Sequence, residues 1–339
     1  MMFMNLPATG RFKTHLGSVG CKMLKRICSP GPLWFPHKHL KRLIFSWTSL
    51  DTMNKTPYSV VHPGRVSPVL SVPSHIQRPP YVTEKKYPTL SEIEVKSKEQ
   101  VEGMRHACRM ARTVLNTAAS HLKIGITTDE IDKIVHQTCT NNNCYPSPLQ
   151  YKGFPKSVCT SVNNVAVHGI PDDRALKDGD VINIDVTVYT GGFHGDCSET
   201  YTVGEVDKRG RDLIRLTKYC RDEAIKLCGP GVDFAEIGNE ISKILRGGNK
   251  FAVMPNLCGH GIGSYFHGPP DVIHCAYTPE KKQVMAPGMT FTIEPCLSEG
   301  ADTYKILDDG WTAVTVDDSR TAQFEHTVLI TLTGVEVLT

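Results

Sequence analysis

The stretch Val181-Ile-Asn-Ile-Asp-Val-Thr-Val-Tyr-Thr-Gly-Gly-Phe-His-Gly-Asp-Cys-Ser-Glu-Thr-Tyr-Thr-Val203 decides the fold. Two runs rich in β-branched and aromatic residues flank Thr190-Gly191-Gly192, the pattern of a β-hairpin that turns at its glycines. Counted outward from that turn, Asp185 and Asp196 are expected to face each other across the ladder. Side chains paired in this way lie roughly 4.5–5.5 Å apart at Cβ, and like charges there are destabilising. Facing carboxylates on the inner side of an apolar hairpin therefore point to cations between them. A buried Asp that is protonated, or that caps a turn, is the reading the hairpin alone leaves open.

Residues further along bear on that choice. Leu257-Cys-Gly-His-Gly-Ile-Gly263 fences His260 with glycines, which let a backbone approach a ligand closely. Glycine-rich loops also cradle phosphates, but no GKS/T or GxGxxG pattern accompanies this one. Met289-Thr-Phe-Thr-Ile-Glu-Pro295 reads as a strand ending in Glu294. Ala322-Gln-Phe-Glu-His-Thr-Val-Leu-Ile-Thr331 reads as a strand with Glu325 inside it. An acid embedded in such a strand is costly unless paired or ligated. Asp185, Asp196, His260, Glu294 and Glu325 together form an oxygen-rich set suited to two divalent ions sharing bridging carboxylates. Structural zinc held by cysteines is excluded by ligand type. Two ions about 3.5–4 Å apart lower the pKa of a shared water and polarise a carbonyl, so the reaction class is hydrolysis.

Upstream of the hairpin, Ser97 to His121 carries an apolar stripe at helical spacing: Val101, Met104, Cys108, Ala111, Val114, Leu115 and Ala118. Thr127 with Glu130 makes a capping box for a second helix reaching about Cys139. Gly125-Ile-Thr-Thr-Asp-Glu-Ile131 recurs 106 residues later as Gly231-Val-Asp-Phe-Ala-Glu-Ile237, with Asp233 in the capping role of Thr127. Each copy follows a long helix, the second from about Lys208 to Cys228, and precedes strands. Two similar halves sharing one core are therefore expected, against the alternative of chance likeness between two helix starts. Between the halves' landmarks, Tyr151 to Asp172 reads as turn, strand and turn, with His168 at a strand end.

Hydrophobic content of 40% and charged content of 22% describe an ordinary globular chain, and no apolar run is long enough for a membrane span. The twelve cysteines contain no CxxC pair, which points to reduced thiols. Charge is unevenly placed. Residues 1–83 hold eleven Lys and Arg against the single acid Asp51, although the whole chain is only +3. Residues 1–55 are accordingly read as a basic, transit-like leader, with a nucleic-acid- or ribosome-binding tail as the rival. Seven prolines between Pro57 and Pro88 mark residues 56–90 as a linker or an arm lying on the domain. The packed domain is expected over residues 91–339, beginning near Ser91.

Val-His168-Gly-Ile-Pro, Asn-Ile-Asp185-Val, Gly-Asp196, Gly-His260-Gly-Ile-Gly, Phe-His267, Thr-Ile-Glu294-Pro and Gln-Phe-Glu325-His-Thr stand in this order from about residue 95 onward. The series resembles that of the type 1 methionine aminopeptidases. No long insertion separates His260 from Glu325, as type 2 enzymes would have. The basic leader in place of a Cys/His zinc-binding N-terminus is most like the mitochondrial form, type 1D. The resemblance implies an α/β pita-bread (creatinase/aminopeptidase) fold, with pseudo-symmetric halves around a dinuclear metal site. It implies that Asp185 chelates one ion, His260 and Glu294 the other, and Asp196 and Glu325 both. Glu294 would relay the proton, and His168 and His267 would contact the substrate and stabilise the tetrahedral intermediate. A methionine pocket would be drawn from Tyr151, Phe154, Cys159, Phe266 and Trp311, a soft aromatic site fitting a thioether. Pro148 departs from the Cys of bacterial members.

The resemblance further implies removal of N-terminal methionine from newly made proteins whose second residue is small. Two divalent ions (Co, Mn, Fe or Zn), a monomer, no specific nucleic acid and the mitochondrial matrix complete the expectation. Three alternatives stand beside it: an Xaa-Pro peptidase of the same fold, a non-catalytic binding module built on it, and a phosphoesterase. The Phe-Pro-Lys-Ser-Val-Cys segment, the full set of five ligands and the lack of a basic anion-binding cluster argue against them in turn.

Overall fold

Gly191 and Gly192 carry positive φ of 59° and 87° in the computed structural model, which describes residues 2–3 and 56–339 apart from 88–89 and 249. Positive φ at both central positions makes a two-residue hairpin loop whose twist matches its strands. Thr190 therefore pairs with Phe193, and strands Val181–Thr190 and Phe193–Thr202 run in register from there. This corrects the expected pairing. Asp185 lies opposite Ser198, and Asp196 lies opposite Thr187. Thr190 belongs to the strand and not to the turn, which displaces each partner by two positions. The aspartates are diagonal neighbours on one face, because strand side chains alternate with a period of two.

Strands β1 (Met2–Phe3), β2 (Tyr145–Pro146), β3 (Cys159–Val162) and β4 (Val165–Val167) precede the hairpin strands, β5 and β6. After them come β7 (Ala252–Val253), β8 (Leu257–Gly261), β9 (Gly268–Val272), β10 (Thr290–Ile293) and β11 (Cys296–Ser298). The last are β12 (Tyr304–Ile306), β13 (Ala313–Thr315), β14 (Thr321–Gln323), β15 (Glu325–Ile330) and β16 (Val335–Val337). One sheet runs β1-β8-β10-β15-β6-β5-β2, with β16 on β15, β3 on β5 and β9 on β8. The smaller sheets are β14-β11-β7 and β12-β13-β4. The strand expected over residues 322–331 is thus two, because the chain changes sheet at Phe324.

Helix α1 (Pro80–Thr83) is a single turn, and α2 (Lys98–Ser120) and α3 (Thr128–Asn141) start at the capping boxes of Ser97 with Gln100 and Thr127 with Glu130. The apolar stripe of α2 and α3 packs on Ile182, Ile184, Val186 and Val188 of β5. Contact is so close that a Cβ on Gly195 would lie 2.4 Å from the Ala107 carbonyl carbon. In the second half, α4 (Lys208–Leu227) and α5 (Ala235–Leu245) cover Phe291, Ile293, Val328 and Ile330. The alternate residues of these four strands (Asp185 and Thr187; Asp196; Thr292; Glu325 and Thr327) project from the other face.

The repeat is real in its hydrogen bonds. Gly125 N donates to Leu176 O and Leu176 N to Ile126 O, both at 2.8 Å; Gly231 and Met285, then Met285 and Val232, repeat this at 2.8 Å. Capping differs between the copies: Phe234 is the cap residue of α5, and Asp233 Oδ1 accepts from Ala235 N at 3.0 Å. The packed unit also reaches back to Thr56, not Ser91. Val61 N donates to Asn164 Oδ1 at 2.7 Å and Gly64 N to Asp172 Oδ2 at 2.6 Å, and Val72 and Ile76 are buried. Proline keeps this arm extended without a strand partner, so its backbone is satisfied by domain side chains. The leader, residues 1–55, lies outside the described residues apart from β1. Among the described residues no helix is long and apolar enough to cross a membrane.

Candidate metal centre and substrate pocket

The polar face of the large sheet collects the five acid and imidazole groups. Asp196, His260, Glu294 and Glu325 are at most 3% exposed, while Asp185 is half-buried and opens to a pocket. One ligand atom each from Asp196, His260 and Glu325 lies within 4.8 Å of the others. His260 Nε2 is 3.7 Å from Asp196 Oδ2 and 3.6 Å from Glu294 Oε1.

Neighbouring hydroxyls and an amide orient these groups. Thr187 Oγ1 donates to Asp196 Oδ1, and Thr292 Oγ1 to Glu294 Oε1, each at 2.7 Å. Gln323 Nε2 donates to Glu294 Oε2 at 3.1 Å. His260 Nδ1 lies 3.2 Å from Gly261 O, so it carries the proton and leaves the Nε2 lone pair facing the acids. The glycines beside His260 answer a different need from the one expected. A Cβ on Gly259 would sit 2.3 Å from Thr292 O, and one on Gly261 would sit 1.9 Å from Pro269 O. They let neighbouring strands close on β8, which places the imidazole.

Burial and mutual repulsion govern the protonation of the cluster. Desolvation, reinforced by neighbouring carboxylate charge, holds Asp185 and Glu325 well above the usual carboxylate range and pushes Glu294 up to about 8. Burial raises Asp196 to about 6 and holds the His260 imidazole neutral. Four crowded acids with one neutral imidazole describe a site built for cations. Its fit to a divalent ion is direct: His260 Nε2 and Glu325 Oε1 are buried atoms with no hydrogen-bond partner, and both are metal donors.

A stability consequence follows for the metal-free protein. A carboxyl whose folded pKa is raised destabilises the fold as pH climbs from the unfolded value to the folded one. The buried neutral histidines, His168 and His194 at about 3, act oppositely, but only below the unfolded histidine value of about 6.5. Between about pH 6.5 and 8 the acids alone remain in play, so melting temperature in EDTA is expected to fall over that window. Saturating Mn²⁺ should remove the fall. A metal-free protein that melts higher at pH 8 than at pH 6.5 contradicts this account.

Beside the acids lies a pocket of about 40 Å³ lined by Pro148, Tyr151, Phe154, Cys159, Phe266 and Trp311. His168 and His267 also line it, so all seven expected substrate residues meet there. Tyr151 packs 4.8 Å from Phe266, and Phe154 lies edge-on to Trp311 at 5.2 Å. His168 adopts φ 56°, outside the usual region for a side-chain-bearing residue, and sets its ring edge-on to Trp311 at 5.8 Å. His267 Nδ1 is 3.0 Å from Tyr151 Oη, its Nε2 is buried without a partner, and its ring is 4.2 Å from that of His260.

Several participants were missed from the sequence. His194 is buried, bonds Ser147 through Nδ1 at 2.8 Å and stacks on Phe266 at 5.2 Å. It shares the face of Asp196, two residues on, so strand parity could have found it. Thr187, Thr292 and Thr327 carry the same signal, each two residues from an acid. Tyr81 gave none. It comes from the proline-rich arm, yet packs edge-on to Tyr151 at 5.0 Å, with Tyr87 5.7 Å from the same ring.

The family model described as metallopeptidase family M24 matches residues 102–332. A Danio rerio protein named methionine aminopeptidase 1D, mitochondrial, is 57% identical over 84% of this chain and 84% of its own length. The Homo sapiens protein of that name is 53% identical over 83% of this chain and 84% of its own. The crystal structure of methionine aminopeptidase from Rickettsia prowazekii aligns with a TM-score of 0.71 at 38% identity, covering 73% of this chain and 99% of that one. Matched on sequence over most of its length and on fold over the whole of a solved relative, the chain belongs to metallopeptidase family M24, among the methionine aminopeptidases.

Proposed function

We propose that this chain is a metal-dependent aminopeptidase that removes the N-terminal methionine from newly made proteins whose second residue is small. The observation that carries the reading is the meeting of two things: a cluster of four acids and one imidazole, buried except for Asp185, and a soft aromatic pocket that shares its wall. Asp185 would hold one divalent ion, His260 with Glu294 a second, and Asp196 with Glu325 both. A bound divalent ion supplies Lewis acidity toward a carbonyl oxygen and toward water.

The chain's own groups do the rest. The pocket takes the methionine side chain, whose flexible thioether suits rings and the Cys159 sulfur. Thr292 and Gln323 hold both oxygens of Glu294, which presents its carboxylate in one orientation to accept and return a proton. Tyr151 fixes the His267 ring and leaves Nε2 to donate toward the oxyanion as it develops. His168, held against Trp311, contacts the substrate on the other side.

The same reading assigns residues 1–55 to delivery into the mitochondrion, with the matrix as destination, and 56–90 to an arm that completes the catalytic unit. It takes the working form as a monomer. Steady-state release of the first residue from Met-Ala-Ser and Ala-Pro-Ser peptides tests the substrate class, with Co²⁺, Mn²⁺, Fe²⁺ and Zn²⁺ each supplied in turn. Cleavage of the first peptide and none of the second is expected. Preference for the Xaa-Pro peptide, or no metal-dependent cleavage of either, would overturn it.

A further inference from the structure

Behind the substrate pocket lies a larger cavity, of about 250 Å³. Its inner walls are Val162, Val165 and Val314, and the arm forms its outer rim with Val61, Pro63 and Val66. Two residues that line it hold buried polar atoms with unused hydrogen-bonding capacity. Thr160 is 5% exposed, and its Oγ1 has no hydrogen-bond partner. Arg174 spends Nη2 on Ser59 Oγ and Asp180 Oδ2, both at 2.8 Å, while its buried Nη1 has no partner. A buried donor left unmade is costly, and a ligand that accepts from both would relieve that cost.

The cavity and the substrate pocket share their wall residue by residue. Cys159 lines the pocket and Thr160 the cavity; His168 and Gly169, then Trp311 and Thr312, repeat the division. In β3 this follows from the alternation of side chains across the sheet. Gly169 seals the partition, since a Cβ there would lie 2.1 Å from Thr160 O. Asp309 Oδ1 accepts from Trp311 N at 2.7 Å and Thr312 N at 2.8 Å, so the cavity rim also holds the backbone of Trp311.

We propose that this rear cavity is a second binding site, taking a small neutral molecule with an apolar body and one carbonyl, whose occupancy resets the substrate pocket through the shared wall. The apolar lining selects the body, and the hydroxyl of Thr160 with the Nη1 of Arg174 donate to the carbonyl oxygen. An anion is disfavoured. Arg174 is already paired with Asp180, and the lining includes the carboxylates of Asp172 and Asp309. The coupling to substrate rests on the pocket assignment made above; binding itself does not.

Valeramide is the probe, with valerate as its matched anion. Binding is read as the saturable shift of the Trp311 indole N–H resonance, identified by its loss in Trp311→Phe. Thr160→Val removes the free hydroxyl at nearly constant volume, and Val66→Trp plugs the exposed mouth without touching the core. Each is expected to weaken valeramide at least about tenfold, the scale of one well-placed hydrogen bond or more. Valerate should bind the unaltered protein more weakly than valeramide by a similar factor. Undiminished valeramide binding in both variants overturns the site, as does an apparent valeramide Kd that rises without limit in proportion to free methionine, the mark of one shared pocket; coupling between two sites would make that rise level off. These outcomes are independent of whether the protein cleaves Met-Ala-Ser.

Discussion

Glu325→Gln is expected to abolish methionine release and to remove tight metal binding, while raising the melting temperature of the metal-free protein. The substitution keeps the volume and replaces a carboxylate oxygen that is buried without any partner. A carboxylate oxygen of Glu325 lies within 4.8 Å of ligand atoms of Asp196 and His260, close enough for the three to hold one ion together. Loss of an outer hydrogen-bond partner to a metal ligand costs about 10–100-fold in affinity or activity, and loss of the ligand charge itself should exceed that. The stability change runs the other way. Burial and the charges of Asp196, Glu294 and Asp185 hold the Glu325 carboxyl well above its usual range, so the neutral amide relieves a repulsion when no cation is present. Calorimetric titration with Mn²⁺ and melting in EDTA read the two effects separately. Full-affinity binding by the variant would show that Glu325 is not a ligand.

Arg320→Met is expected to lower stability by about 3–5 kcal/mol, because it leaves the buried Glu299 with only the half-exposed Arg209, 3.6 Å away, as a cationic neighbour. Arg320 is wholly buried. Its Nη2 is 2.8 Å from Glu299 Oε1 and its Nη1 is 2.6 Å from Asp207 Oδ2. Tyr58 of the arm lies over the guanidinium, 4.3 Å from its ring centroid, and Tyr58 Oη accepts from Arg320 N at 3.1 Å. Gly210 makes the room, since a Cβ there would be 2.7 Å from Nη1. At about 2–4 °C per kcal/mol for a unit of this size, the melting temperature should fall by roughly 6–20 °C. Adding Glu299→Leu to the variant should recover part of the loss by removing the stranded acid. A single variant that melts within two degrees of the parent would mean that the ion pair contributes little beyond its own desolvation.

Much of the site could be read from the chain because burying acids is expensive. Glu294 and Glu325 stand among apolar strand residues, where only a ligand or a partner makes them tolerable, and the structure brings both to the acid cluster. Helix starts were equally legible, at Ser97 from the apolar stripe and at Thr127 from its capping box, since both are local devices. The duplication was visible at Gly125 and Gly231 because both copies need the same turn before a helix.

Tertiary structure alone decided the rest. Strand register between Asp185 and Asp196 hung on whether Thr190 belonged to the turn or the strand, and composition around paired glycines does not settle that. The glycines flanking His260 answer to carbonyls of Thr292 and Pro269, contacts that exist only once three strands are assembled. Tyr81 packs behind Tyr151 of the substrate pocket, and Val66 lines the rear cavity, because the proline-rich arm folds back on the domain. An extended segment has no periodicity to announce its path; its course is set by side chains such as Asn164 and Asp172 that satisfy its backbone. Chemistry carried by residue type was therefore written in the sequence. Geometry set by strand pairing and by a returning arm was not, because those contacts join residues far apart in the chain.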